Sequence, residues 1–336
     1  MSDDNAIVVT GATGRVGGQV AEQLLSAGHA LRAVARSAEL LKPLGQRGVD
    51  VRPGSFHDRT FLTRAFRGAK AAFLLTPLDV SLPDLNAEQK TNVENIVAAI
   101  RDSGLRNVVL LSSWGAEVTE RIGGIIGCHW FERLLDGLSG LNVVHLRPVW
   151  FMENFLWNIG LMKMAGINGL AISADVRFPT VATRDIALVA AEYLHNLDFK
   201  GTTIRYLNGP RDYTMTEVTR ILGASIGKPD MKYIEFPQSV LRRGLIENGG
   251  LSPNAADLLI EINRGIDSSK LHAEPRSVLN TTPTTLEEFA RITFAPAFNA
   301  TPDVSFAGRF SGLFLRSFLF VSGHRAGKAT HQPLRA

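Results

Sequence analysis

The sequence predicts an α/β protein built on a doubly wound parallel sheet with a smaller, discontinuous C-terminal lobe, and three observations carry that prediction. A short apolar run ends in the glycine string of "VVTGATGRVGGQV" (residues 8–20). Strand-like runs then alternate with helical patterns through the first 150 residues, which is how a parallel sheet with helices on both faces is built. Beyond residue 150 the alternation loosens into helices joined by glycine-rich and proline-interrupted segments, the mark of a second lobe.

Residues 6–10 are apolar and β-branched and form the first expected strand. In the loop that follows, Gly11 permits a tight turn, Gly14 a close approach of phosphates, and Gly17 close packing of helix on strand. Gly11, Thr13, Gly14, Arg15, Val16 and Gly17 are therefore the candidate cradle for a pyrophosphate. Val16, Val20 and Leu24 recur at helical spacing until Gly28 stops the pattern. Further strands are expected at 30–35, 49–52, 71–75, 107–112 and 142–146, and Val93, Ile96, Val97 and Ile100 share one face of a helix before the strand at 107.

In the second lobe, "TMTE" (214–217) and "TTLE" (284–287) have the form of capping boxes. A strand at 202–208 is expected to return to the first sheet. The division is thus 1–150 for nucleotide binding, 151–298 for a discontinuous substrate lobe, and 299–336 for a basic aromatic tail. In that tail Phe306, Phe310, Leu313, Phe314 and Val321 suit a helical stripe. It reads as a helix docked on its own body or on a second subunit of a homodimer, as a disordered tail, or as a weak membrane-surface contact.

Of 336 residues 45% are hydrophobic and 20% charged, a globular composition and not a disordered one. The net charge of +4 sits largely in the tail, so the body lacks the basic face that nucleic acid requires. Cys128 is the only cysteine, which excludes an internal disulfide and any cysteine-built metal centre and points to a reducing, cytoplasmic setting. The eight histidines are scattered without metal-ligand spacing, so no metal is expected. No stretch reaches the roughly 18 apolar residues that a membrane span needs.

An NAD-binding unit places an acid about 20 positions past its first glycine to bond the ribose 2′-hydroxyl. No Asp or Glu lies between Glu22 and Glu39; Arg32 and Arg36 stand there instead, the latter where a 2′-phosphate would sit. A guanidinium matches phosphate, so NADP(H) is preferred over NAD(H). Ligands of open α/β sheets lie beyond the carboxyl ends of the strands. This brings two more loops to the same crevice, with His57 and Asp58 at the adenine edge and Thr76 and Pro77 near the nicotinamide half; Ser112, the last residue of the fifth strand-like run, is a further candidate contact.

The pieces "TGATGRVG", "AVARSAE", "LLTP", "VVLLSS", "LRPVWFMENF" and "ATRDIALVAAEYL", which together span about residues 5–295, resemble the NmrA-like branch of the atypical short-chain dehydrogenases/reductases. The resemblance implies an extended Rossmann core, a small substrate lobe and NADP(H) binding. It includes quinone reductases, other NADPH-dependent reductases and redox-sensing regulators that bind the dinucleotide without turnover. Standard short-chain reductases use a tyrosine with a lysine four residues on, but the four tyrosines here are followed at that distance by Leu197, Pro210, Glu217 and Pro237. The lysine of the plant relatives is also missing from "GCHWFERLL" (127–135), where His129 and Glu132 stand instead.

Two routes for the proton therefore stay open: His129 as general acid, or water where a quinone-like acceptor delocalises its charge. Leu78, Trp114, Phe151 and Phe155 are the candidate walls for a flat apolar acceptor, with Pro148 shaping the nicotinamide contact. The expected function is an NADPH-dependent reductase of a small conjugated carbonyl or quinone. The alternative is an NADP(H)-binding redox sensor that acts through a protein partner.

Overall fold

The computed structural model describes residues 5–271 and 273–302. The expected tail lies outside the described residues from 303 onward. Seven strands form one parallel sheet: β1 (Ile7–Thr10), β2 (Leu31–Ala35), β3 (Asp50–Pro53), β4 (Ala71–Leu75), β5 (Asn107–Leu111) and β6 (Asn142–Pro148), with β10 (Thr202–Leu207) added at one edge. Their order is β10-β6-β5-β4-β1-β2-β3. The chain therefore winds outward in both directions from β1, and the crevice at that reversal, past the strand ends, is where such sheets take ligands.

Side chains alternate across the sheet as a strand's period of two requires. Ile7, Val9, Ala33, Phe73 and Val109 enter one core with α1 (Arg15–Ser26) and α7 (Thr183–Asn196). Val8, Val34, Ala72, Leu74, Val108 and Leu110 enter the other with α3 (Arg59–Phe66), α4 (Leu85–Ser103) and α5 (Ile126–Asp136). Strands that are apolar on both faces, like β1 with its four buried residues, are what a doubly covered sheet demands. The short α2 (Ala38–Gly45) packs beside β2 and β3.

In the second lobe, β7 (Trp150–Phe151), β9 (Phe178–Val181) and β11 (Asp212–Tyr213) form a small sheet, and β8 (Ile167–Leu170) pairs with β12 (Lys232–Glu235). Helices α6 (Ile159–Ala165), α8 (Met215–Ser225), α9 (Gln238–Glu247), α10 (Pro253–Asp267), α11 (Leu286–Phe289) and α12 (Ala295–Ala300) complete the lobe, with α6 packed on β8 and α8 on β12. Thr214 caps α8 through the expected box: its hydroxyl accepts the Glu217 N–H at 3.1 Å, and the Glu217 carboxylate accepts the Thr214 N–H at 2.9 Å.

The second box is displaced by one residue. Thr285, not Thr284, accepts the N–H of Glu288 at 3.1 Å. The buried Asp185 carboxylate takes both the N–H and the hydroxyl of Thr284, at 3.0 and 2.7 Å. Pro148, expected just past the end of its strand, is instead the last residue of β6, because pairing with β10 carries the strand on to Leu207. Among the described residues no helix is long and apolar enough to cross a membrane.

Candidate active site

The glycine loop has the geometry of a cradle. Gly11 takes φ of +61°, a left-handed conformation. A Cβ on Gly17 would stand 2.3 Å from the Gly11 carbonyl oxygen, so only glycine lets α1 rest this close to the turn. Helix α1 begins at Arg15 behind Gly14, which offers no side-chain cap to its first N–H groups. Such uncapped donors at a helix N-terminus suit an anion. Val16 is buried, so only its main chain can face a ligand. Thr13 is half-buried within the loop. The turn and the close packing fit a dinucleotide pyrophosphate.

The Arg15 side chain reaches the second lobe. Its Nη1 donates to the Glu153 carbonyl at 2.8 Å, and burial lowers its guanidinium to about 10, partly offset by the Glu153 charge. The Glu153 carboxylate in turn accepts the Thr183 N–H at 3.0 Å and the Thr183 hydroxyl at 2.6 Å, while burial raises its own pKa. Arg15 thus ties the loop to the second lobe.

The two arginines of the second strand part company. Arg32 is 2% exposed and bonds Asp50 at 2.9 Å and the Ala65 carbonyl at 2.7 Å, a structural role. Arg36 follows the end of β2, is half-exposed, and pairs with Asp79 at 3.3 Å. After β3, His57 Nε2 meets Glu88 Oε1 at 2.6 Å. The Asp58 carboxylate caps α3 by accepting the Phe61 N–H at 2.8 Å, which commits one oxygen to the helix.

After β4, Thr76 and Pro77 are half-buried, and the Thr76 hydroxyl lies 4.0 Å from the Cys128 sulfur. Desolvation, with the Glu132 charge adding to it, pushes the Cys128 thiol up to about 12. It is a neutral thiol at physiological pH and no nucleophile. The Ser112 hydroxyl donates to Glu132 at 2.5 Å. Glu132 also holds Arg147, whose Nη1 donates to the Tyr206 hydroxyl at 2.7 Å and to Glu117 at 3.0 Å. Burial alone would lower Arg147, yet the Glu132 bonds and charge hold it above its ordinary value. This buried network escaped sequence reasoning; its one signal was a charged residue, Arg147, inside a buried strand.

His129 Nδ1 lies 2.8 Å from the Ala116 carbonyl. A carbonyl only accepts, so Nδ1 carries the proton and Nε2 is the nitrogen left to exchange one. Of the expected walls, Leu78 is 47% exposed and Phe151 half-buried, so both can meet a ligand. Trp114 and Phe155 cannot serve as drawn, since they are 3% and 0% exposed. Both belong to the main core cluster, where filling the space under the lobe buries more apolar surface than lining a cleft. Trp114 donates its main-chain N–H to the Pro148 carbonyl at 3.1 Å, which joins the loops after β5 and β6.

Fold and cradle together define a two-lobed Rossmann-type α/β protein. The chain belongs to the NmrA-like family, whose model matches residues 3–290. It is 33% identical over 241 residues to (4-alkanoyl-5-oxo-2,5-dihydrofuran-3-yl)methyl phosphate reductase of Streptomyces griseus, covering 71% of this chain and 80% of that protein. It is 23% identical over 274 residues to quinone oxidoreductase 2 of Escherichia coli, covering 81% and 92% of the two chains. The fold superposes on the NADPH complex of the Escherichia coli quinone oxidoreductase QOR2 with a TM-score of 0.73, at 23% identity and over 84% of this chain and 98% of that one. A triphenylmethane reductase from Citrobacter sp. gives a TM-score of 0.71 at 23% identity, over 87% and 99%.

Proposed function

We propose that this protein is an NADPH-dependent reductase of small conjugated carbonyl compounds, quinones among them. The observation that carries the reading is the glycine cradle with the Arg36 guanidinium at the end of β2, where an acid would have favoured NAD(H). The relatives support the reductase class: by name they act on a butenolide phosphate and on quinones. A reduced nicotinamide, when bound, supplies the hydride. The chain's own part is to bind the dinucleotide through the N–H groups of Arg15, Val16 and Gly17 and through Arg36, with Thr76 and Pro77 bordering the crevice; Ser112 and Pro148 are buried behind them. Leu78 and Phe151 offer the acceptor an apolar contact.

No tyrosine has a lysine four residues on, so the proton must come from elsewhere. His129 is the side chain proposed for it, acting at Nε2, since Nδ1 is committed to Ala116. A conjugated acceptor delocalises its charge and lowers the demand on that acid. The test is to mix the intact protein with NADPH and a panel of quinones and enones and to follow the loss of nicotinamide absorbance. Turnover above buffer is expected. A folded, NADPH-binding protein silent across the whole panel would replace this reading with that of a dinucleotide-binding sensor.

A further inference from the structure

Arg36 follows the end of β2 where an acid would commonly stand, yet a carboxylate reaches that place from the loop after another strand. Asp79 lies in the loop after β4, and its Oδ2 is 3.3 Å from Nη1 of Arg36. The loop is built to hold it there. The other oxygen, Oδ1, accepts the N–H of Ser81 at 3.2 Å and its hydroxyl at 2.6 Å. One residue on, the Val80 carbonyl accepts the Ser252 N–H at 2.8 Å, and the Leu85 N–H donates to Asn254 at 2.9 Å. The segment is thus pinned to the second lobe on the far side of Asp79. The His57–Glu88 pair makes a second link from the same flank of the sheet to α4. The Asp79 carboxylate therefore faces Arg36 through an anchored loop.

We propose that Asp79 is a specificity-determining residue: it holds Arg36 as an internal anion that a 2′-phosphate must displace. The inference rests on the reading of Arg36 as the 2′-phosphate contact. At 3.3 Å the pair is longer than the 2.7–2.9 Å of a strong charge-assisted bond, and it is partly exposed, with side chains 43% and 28% accessible. Such a pair is worth little and exchanges readily. A phosphate dianion offers the guanidinium more charge and a matching pair of oxygens, so it takes Arg36 from Asp79. The uncharged 2′-hydroxyl of NAD(H) cannot. Once displaced, Asp79 faces the phosphate as a like charge. Both effects oppose NADP(H) and leave NAD(H) nearly untouched, so Asp79 narrows the preference that Arg36 creates.

The test is calorimetric titration of NADP+ and NAD+ into the intact wild-type chain, Asp79→Asn and Arg36→Ala. Asp79→Asn keeps the shape of the side chain and its bonds to Ser81 while removing the charge. It should tighten NADP+ about fivefold and move NAD+ by less than about twofold. In the Arg36→Ala background only the like-charge effect is left, so the same change should tighten NADP+ by less than it does in the wild type. If Asp79→Asn leaves NADP+ binding unchanged or weaker while Arg36→Ala still weakens NADP+ selectively, the role given to Asp79 is wrong and that of Arg36 stands. If Arg36→Ala affects both dinucleotides equally, the reading of Arg36 fails and this inference falls with it.

Discussion

Arg147 on β6 and Glu132 on α5 form a two-pronged ion pair inside the molecule, Nε to Oε1 at 3.0 Å and Nη2 to Oε2 at 2.6 Å. The two side chains are 8% and 6% exposed, so neither charge has water to fall back on. The pair fixes α5, and with it His129, against the strand ends, and through Glu132 it also orients the Ser112 hydroxyl. Removing Glu132 leaves Arg147 only the Glu117 and Tyr206 contacts at Nη1, and its Nε and Nη2 lose their buried carboxylate. Glu132→Ala is expected to cost about 3–5 kcal/mol, read by chemical denaturation. Replacing both residues with apolar ones of similar size should recover most of that loss.

The His129 role predicts a difference between acceptors. His129→Gln should slow reduction of a simple enone by about a hundredfold, the ordinary size of a general-acid contribution. A quinone, whose reduced form is a stabilised anion, should lose less than about tenfold. Parallel steady-state measurements on the two acceptors check this; equal losses would remove the acid role.

Cys128 should resist alkylation and Ellman's reagent in the folded protein. A thiol moved from 9.0 to about 12 carries about a thousandfold less thiolate at pH 8. Reaction should appear on unfolding in denaturant. Rapid modification of the native chain would contradict the desolvated setting beside Thr76 and Glu132.

Asp50 gives stability a pH dependence of definite sign. Partial burial alone would raise its pKa, but Arg52 and Arg32 bond it and bring it below the ordinary value of 3.8. A depressed acid contributes stability that is present above its unfolded pKa and is lost as pH falls through the folded one. Asp50→Asn, which removes the carboxylate charge facing the buried Arg32, should cost about 2 kcal/mol at pH 7. The gap between variant and wild type should begin to narrow below about pH 3.8, the ordinary value, and close only once the pH has fallen below the lower folded-state value of Asp50. Denaturation curves at pH 7 and pH 3 measure it.

Much of this was legible in the sequence because it follows from local pattern. Four- and five-residue apolar runs placed β1, β2 and β4 to within a residue, and Thr214 with Glu217 announced its own cap. What escaped depends on contacts between distant segments. Thr284 has the form of a cap, but Asp185, 99 residues away, takes its hydroxyl and moves the helix start to Thr285. Arg32 and Arg36 look alike in sequence and differ because Arg32 lies within β2 opposite Asp50 of β3, whereas Arg36 lies past the strand end. Phe155 has the composition of a pocket wall and the burial of a core residue. Arg15 sits in the cradle by position, yet its side chain leaves for Glu153, 138 residues on.

The central claim is that the loop from Gly11 to Gly17 holds a phosphorylated nicotinamide dinucleotide with help from Arg36. Calorimetric titration of the intact protein with NADPH and with NADH tests it most directly. The account predicts saturable binding at one site per chain, tighter for NADPH, with Arg36→Ala erasing that advantage at a loss of about 1.5–3 kcal/mol. Folded protein that takes up neither coenzyme would contradict it.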